Sequence, residues 1–314
     1  MNPQDWTPDN GRISIFLTVD VKYYQHACVV MLSVLENNSG EPLDFYILTD
    51  KFVPGEGNKI LNLQKTFPNC RIKFVTMDDS HFDGLPTKKW LTVQMYYRMM
   101  IPELFPELDR CLYFDSDVLV LGSLRELWNT DFEDNYCAAS EDYATNRFNT
   151  ALKERLGIAP EYTYICSGVL LMNLNKLREE NKVPEFFETM RRIAPIQWWP
   201  DQDGINVTFM GKIKILDPKY GWCWHDSIER RKTGDYPPPV ISHLTMRKPW
   251  REANWQKHES HDLYFYYLKK SPWRNRVWYY RISHSFLKTI RFPERVVSKW
   301  MKQLGLREFF RRKK

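Results

Sequence analysis

From residue 13 onward, short unbroken apolar runs alternate with longer stretches whose apolar positions return at helical spacing. ISIFLTV (13–19) predicts a buried strand, and KYYQHACVVMLSVLEN (22–37) predicts a helix. NSGEP (38–42) predicts a turn. The alternation continues through LDFYILTD, a helical stretch near 56–66, RIKFVTMD, a helical stretch near 90–100, and RCLYF. Further on come YCAASED, YICSGVLLMNL, a polar helix through 176–192, KIKILD and PVISHL. Strands separated by helices imply an α/β domain on a parallel sheet covered on both faces. There is no internal repeat, and the proline turn at 237–239 is the only low-complexity element.

In open α/β sheets, ligands collect beyond the carboxyl ends of the strands. Asp20 follows ISIFLTV, Asp115 and Asp117 follow RCLYF, Asp142 follows YCAASE, and His243 follows PVIS. Four strand ends thus bring polar groups to one rim. Asp115 and Asp117 interrupt an apolar run, a costly place for charge unless something compensates it. In an extended chain, positions i and i+2 point the same way, so this pair aims at one spot with Ser116 turned aside. Two converging carboxylates repel unless a cation joins them. Oxygen ligands suit Mg²⁺ or Mn²⁺, and His243 in the shell would favour Mn²⁺. The other reading of an isolated D-x-D is a turn or a helix N-cap, here ahead of SLRELW.

YFDSDVLVLGSLRELW, an apolar strand followed by D-x-D and a small-residue turn, resembles the metal-binding motif of nucleotide-sugar glycosyltransferases of the GT-A fold. YYRMMIPELFPELDRCLYFDSD, YICSGVLLMNLNKLRE, WWPDQDGINVTF and ISHLTMRKPW narrow the resemblance to family 8. That retaining group includes bacterial lipooligosaccharide galactosyl- and glucosyltransferases and glycogenin, and the similarity covers residues 12–255. It implies a Rossmann-like nucleotide-sugar-binding domain over 1–262 with a mixed, mainly parallel sheet, plus a helical, basic and aromatic extension over 263–314.

The resemblance also implies roles, position by position. Asp115, Asp117 and His243 would hold Mn²⁺, or Mg²⁺, on the pyrophosphate of UDP-galactose or UDP-glucose. Asp20 would hydrogen-bond the uracil and Tyr23 would stack on it. Arg98 would reach the donor, Asp142 and Asp201 would grip sugar hydroxyls, and Gln202 would lie beside the anomeric carbon. Lys248 of KPW would bind phosphate oxygen as a point charge. Each residue has a plainer reading: a solvated Arg98, a core Tyr23, an Asp201 serving the helix start after Pro200, a structural His243. The chain departs from the family pattern at three places. Cys166 stands where Asn is usual, with Ser167 beside it as a substitute donor contact. Lys22 replaces another Asn, and the last motif has Met246 and five steps from His243 to Lys248 instead of a Gly and six.

At 314 residues, 43% apolar and 15% aromatic, the chain can pack a sizeable core. No apolar run reaches the roughly 18 to 20 residues of a membrane span, and MNPQDWTPDN lacks a secretory layout, which predicts a cytosolic protein. Six scattered cysteines without a C-x-x-C pair predict reduced core thiols. The net charge of +6 conceals an asymmetry: residues 273–314 carry +11, leaving −5 for the rest. In that tail Val296, Val297, Trp300, Met301 and Leu304 share a helical face near Arg295, Lys299 and Lys302, with Phe309 and Phe310 before Arg311 to Lys314. This suits an anionic membrane surface at the inner face of the cytoplasmic membrane, where a glycolipid acceptor would be found; a helix docked on the catalytic domain is the alternative. No nucleic-acid module accompanies the basic residues. Three functions compete: a UDP-sugar-dependent retaining hexosyltransferase, a phosphohydrolase using Asp115 as nucleophile, and a membrane-associated scaffold with a degenerate nucleotide-sugar pocket.

Overall fold

The computed structural model describes residues 4–88, 91–223, 238–245, 248–250 and 259–280. The chain forms two compact units, Met1–Thr245 and Met246–Lys314. The described strands are β1 (Ile13–Thr18), β2 (Leu43–Thr49), β3 (Cys70–Thr76), β4 (Arg110–Phe114), β5 (Val118–Val120), β6 (Cys137–Glu141), β7 (Ile165–Asn173), β8 (Ile213–Ile215), β9 (Trp222–Cys223) and β10 (Ile241–His243). Seven make one sheet in the order β3-β2-β1-β4-β7-β6-β8, and three make a second, β5-β10-β9.

The neighbours β3, β2, β1 and β4 run parallel, as do β6 and β8. β7 runs antiparallel to both β4 and β6, the reversed strand of the mixed, mainly parallel sheet that the family resemblance implies. The sheet is therefore mixed and mainly parallel. This reversal matters for the site: the amino end of β7 lies at the rim where β1, β4 and β6 end. Cys166 and Ser167 consequently join Asp20, Asp115 and Asp142 there.

Burial explains the apolar runs. Every residue of β2 is buried, including Asp44, whose charge is met by Arg12 at 2.7 Å and by Arg71. Phe16 of β1 stacks on Tyr46 of β2 with ring centroids 4.4 Å apart. In the helix Tyr24–Asn37, twelve of fourteen residues are buried. Its Ser33 hydroxyl accepts from Val120 N–H at 3.0 Å, and its Asn37 amide donates to Val120 O at 3.1 Å. These bonds fix β5, the strand that follows the D-x-D.

Two helical expectations change in detail. The stretch near 90–100 forms a 3-10 helix, Val93–Met100, followed by the α-turn Ile101–Leu104. The polar helix breaks into Leu174–Glu179 and Lys182–Ile193, because Asn181 between them is left-handed at φ 52°. In the second unit the helix Glu259–Lys270 carries Tyr264, whose ring lies 4.9 Å from that of Trp250. No helix of the described residues is long and apolar enough to cross a membrane. Met246 and the amphipathic face expected over 295–304 lie outside the described residues.

Candidate functional site

β4 ends at Phe114, and a tight turn closed by Val118 N–H to Asp115 O (3.2 Å) leads into β5. Asp115 and Asp117 therefore converge through a turn, not through the extended i, i+2 geometry expected, because the chain passes from one sheet to the other between them. Neither acid caps the helix Arg125–Trp128, whose N-cap is Leu124. His243 pairs with Val118 across the second sheet and presents Nε2 3.3 Å from Asp117 Oδ1 and 3.7 Å from Asp115 Oδ2. One ligand atom from each of the three residues lies within 4.8 Å of the others.

Arg98 stands behind the carboxylates, not out towards solvent. Only 3% exposed, its guanidinium contacts Asp115 at 2.8 Å, Asp201 at 3.1 Å and the Ser167 carbonyl at 2.7 Å. Its plane also lies 3.9 Å from the Tyr113 ring centroid. Burial opposes this charge, but Tyr113, Asp201 and Asp115 outweigh it and hold its pKa above the usual arginine value. The Tyr113 hydroxyl bridges Thr18 Oγ1 (2.9 Å) and Asp115 Oδ1 (2.8 Å), tying the ends of β1 and β4 together.

The other face of the imidazole meets sulfur. Cys166 Sγ lies 3.5 Å from His243 Nδ1. The nearby Cys223 brings the Cys166 thiol down to about 5 against the opposing effect of burial, with His243 adding to the lowering. Burial works against the His243 cation, and Cys166 more than offsets it, so its pKa is raised. In the neutral ring, an Nδ1–H donated to sulfur would leave the Nε2 lone pair aimed at the carboxylates, the tautomer a metal ligand needs. Gly168 makes room for this ring, since a Cβ there would sit 2.1 Å from His243 Cε1. Gly168→Ala is expected to displace the imidazole and, if His243 ligates Mn²⁺, to weaken Mn²⁺ binding about 10- to 100-fold, the usual scale for disturbing a ligand's support. Titration calorimetry checks this, and unchanged affinity would remove His243 from the shell.

The D-Q-D of the helix Pro200–Thr208 divides three tasks. Asp203, fully buried, accepts from Trp199 N–H at 3.0 Å, from Trp198 N–H and from the Tyr164 hydroxyl, so it serves the helix start, where Asp201 also sits in the first turn with the backbone N–H groups of Asp201 and Gln202 against its carboxylate. Asp201 also pairs with Arg98 at 3.1 Å. Gln202 accepts from Ser167 N–H at 3.0 Å and donates to Asp142 Oδ2 at 3.1 Å, which fixes the orientation of its amide. Asp142 itself caps the helix Tyr143–Phe148 through Thr145 N–H at 2.9 Å.

Burial, partly offset by Arg98, pushes the Asp201 carboxyl up to about 6. An unfolded aspartate releases its proton near about 3.9, so the folded protein holds an extra proton between those values. The group's contribution to stability is then greatest at low pH and declines as pH rises through that window. Wild-type stability relative to Asp201→Asn is expected to fall from about pH 4 to about pH 6 and to level off above it. Denaturant unfolding at several pH values checks the sign; a difference that grows with pH would contradict a raised carboxyl.

Of the remaining expected residues, Asp20 caps the 3-10 turn Val21–Tyr23 through Lys22 N–H (2.8 Å) and Tyr23 N–H (3.1 Å). Tyr23 lies with its ring 5.1 Å from that of His26. Lys248 belongs to the second unit. Sequence reasoning missed Tyr113, Tyr164, Asp203 and Cys223. Tyr113 was open to detection: two residues before the first acid of D-x-D, at the end of a strand, it sits beside the same rim.

The donor set fits a divalent ion. Two carboxylates and an imidazole nitrogen converge on one point, with Arg98 offsetting part of their charge, and these are Mn²⁺-compatible ligands.

Sheet order and rim place the protein among the GT-A glycosyltransferases. A galactosyltransferase, LgtC, solved in complex with donor and acceptor sugar analogs, superposes with a TM-score of 0.73 at 24% identity, covering 83% of this chain and 96% of that one. Residues 14–254 match the family model of glycosyl transferase family 8, and the chain belongs to that family. A lipopolysaccharide 1,2-glucosyltransferase of Escherichia coli is 30% identical over 269 residues, covering 82% of this chain and 78% of the relative. A putative glycosyltransferase of Haemophilus influenzae is 29% identical over 67% of this chain, and the match spans 63% of that relative's length. A lipopolysaccharide 1,3-galactosyltransferase of Salmonella typhimurium is 24% identical over 84% of this chain and 80% of the relative.

Proposed function

We propose that this chain is a metal-dependent, retaining hexosyltransferase that moves galactose or glucose from a UDP-sugar to a lipopolysaccharide or another surface glycan. The observation that carries the reading is the convergence of Asp115, Asp117 and His243 Nε2 at the strand rim of a family 8 fold. The names of the Escherichia coli and Salmonella relatives support the hexose and the acceptor class. A bound Mn²⁺ would neutralise the pyrophosphate of the donor and stabilise the charge that develops as UDP leaves.

The chain's own residues then have defined work. Arg98 orients Asp115 and keeps Asp201 ionised beside it. Gln202 locks the amino end of β7 to Asp142, leaving Asp142 and Asp201 to meet sugar hydroxyls. Asp20 and Tyr23 are assigned to the uracil, and Lys248 and Ser167 to the donor's phosphate and sugar. Asp201 is ion-paired, and the Gln202 amide is bonded at both ends. Those engagements argue against a covalent nucleophile and favour front-face departure, in which the leaving phosphate takes the acceptor's proton. Thermal shift against a panel of UDP-sugars with Mn²⁺, followed by UDP release with and without acceptor glycans, tests the reading. Stabilisation by one UDP-hexose and acceptor-dependent turnover are expected; binding without turnover over a broad acceptor set would favour a scaffold.

The tail is assigned to an anionic membrane surface at the cytoplasmic face. Within its described part, Trp278 and Tyr279 are 70% and 59% exposed beside the exposed Arg274 and Arg276. Aromatic rings interleaved with cations suit a lipid headgroup region, at about 1 kcal/mol per cation near the surface. Removal of residues 273–314 is expected to abolish co-sedimentation with phosphatidylglycerol-containing liposomes at low salt. Equal partitioning of both forms would dismiss the role.

A further inference from the structure

We infer that Cys166, Cys223 and Nδ1 of His243 form a second metal site, for a thiophilic divalent ion of the Zn²⁺ class, back to back with the carboxylate site. Three strands build it. β9 and β10 pair in parallel with Cys223 opposite His243, and Cys166 arrives from the amino end of β7. One ligand atom from each residue lies within 4.8 Å of the others, and Cys166 Sγ stands 3.5 Å from His243 Nδ1. With metal bonds of about 2.3 Å to sulfur and about 2.0 Å to nitrogen, the sulfur-to-nitrogen edge of a tetrahedron is about 3.5 Å. This pair therefore needs no rearrangement to ligate.

Chemistry and burial agree with the geometry. Two thiolates with an imidazole prefer Zn²⁺ to Mn²⁺ far more strongly than do the hard carboxylates across the ring. Cys166 and His243 are buried, while Cys223 is partly exposed and marks the side of entry. Binding would release to solvent whatever protons the two sulfurs and the imidazole Nδ1 still carry, as the metal–sulfur and metal–nitrogen bonds form. Three protein ligands leave a fourth position for water or another small ligand.

The shared histidine couples the two sites. A neutral imidazole has one lone pair and one N–H. With Nδ1 on the thiophilic ion, the proton belongs on Nε2, which faces Asp117 and Asp115 and donates to a carboxylate, as metal-bound histidines usually do. The carboxylate site then lacks its nitrogen ligand. Zn²⁺ on the sulfur side and Mn²⁺ on the oxygen side thus exclude one another. This antagonism rests on the proposed Mn²⁺ site, whereas the thiolate site stands without it.

The test uses the full chain under a phosphine reductant, with Co²⁺ as the probe. One equivalent is expected to give a thiolate-to-cobalt charge-transfer band in the near ultraviolet, lost on addition of Zn²⁺. Cys223→Ser and Cys166→Asn, checked by circular dichroism, should weaken Co²⁺ binding at least tenfold, whereas Asp117→Ala should retain the band. Absence of the band in the wild type, or its persistence in both cysteine variants, would overturn the proposal. In a second arm, electron paramagnetic resonance of free Mn²⁺ should show that one equivalent of Zn²⁺ releases Mn²⁺ from the wild type, whereas Cys223→Ser needs at least tenfold more Zn²⁺ for the same release. Release at the same Zn²⁺ concentration in both would overturn the antagonism. A Co²⁺ band in a protein that binds no Mn²⁺ would refute the hexosyltransferase reading and leave the thiolate site in place.

Discussion

Asp117→Ala is expected to abolish Mn²⁺-dependent sugar transfer, by about 10³-fold in kcat/KM, while the protein stays folded. Asp117 is 5% exposed, and its Oδ1 faces His243 Nε2. On the proposed reading, removing it would take away one of two charged ligands, and with it most of the stabilisation of the departing diphosphate. Folding should survive, because the substitution takes a buried charge away from the neighbouring Asp115 carboxylate and leaves the Leu244 N–H to Asp117 O bond (2.8 Å) intact in the backbone. Asp115→Ala should behave differently. It loses the metal and also the anchor of Arg98 and Tyr113, so activity and melting temperature should fall together. UDP release with Mn²⁺ and a thermal melt separate the two cases. Activity within tenfold of wild type in Asp117→Ala would defeat the assignment.

The second large effect is on stability. Arg98→Met should destabilise the fold by about 3–5 kcal/mol, because it strands buried carboxylates that no longer have a counter-charge. Asp201 is most affected, being 6% exposed with Arg98 3.1 Å away. The loss also removes the bond to Ser167 O, which holds the amino end of β7. Arg98→Lys should recover only part of the stability, since an ammonium cannot span Asp115, Asp201 and a carbonyl with a planar fork. Combining Arg98→Met with Asp201→Leu should be less destabilising than Arg98→Met alone, as apolar replacement of a buried pair leaves fewer uncompensated charges. Chemical denaturation checks the series. If Arg98→Met costs under about 1 kcal/mol, the guanidinium is not the counter-ion of this site.

Particular residues show how much was legible beforehand. The apolar runs announced β1, β2, β4 and β7, because a strand buried on both faces reads as a continuous hydrophobic stretch. The direction of β7 was not legible, since burial carries no sign along the strand. Asp115, Asp117 and His243 were picked out as a metal set from motif order, and the structure brings them together. The reason given for the first two was wrong in detail: a turn between two sheets, not an extended segment, makes them converge. Arg98 was expected at the donor and is found behind the acids, its charge absorbed by Asp115 and Asp201.

The amino-acid sequence by itself determined the alternation of strands and helices, the family, and which carboxylates end strands, because these are local properties of spacing and hydrophobicity. Only tertiary structure decided that Asp203 bonds Trp198, Trp199 and Tyr164 while Asp201 pairs with Arg98, that Gly168 must lack a side chain beneath His243, and that Cys166 meets Cys223. Those outcomes depend on distances between segments far apart in the chain. Such distances follow from how whole layers pack, and no short window of residues encodes them.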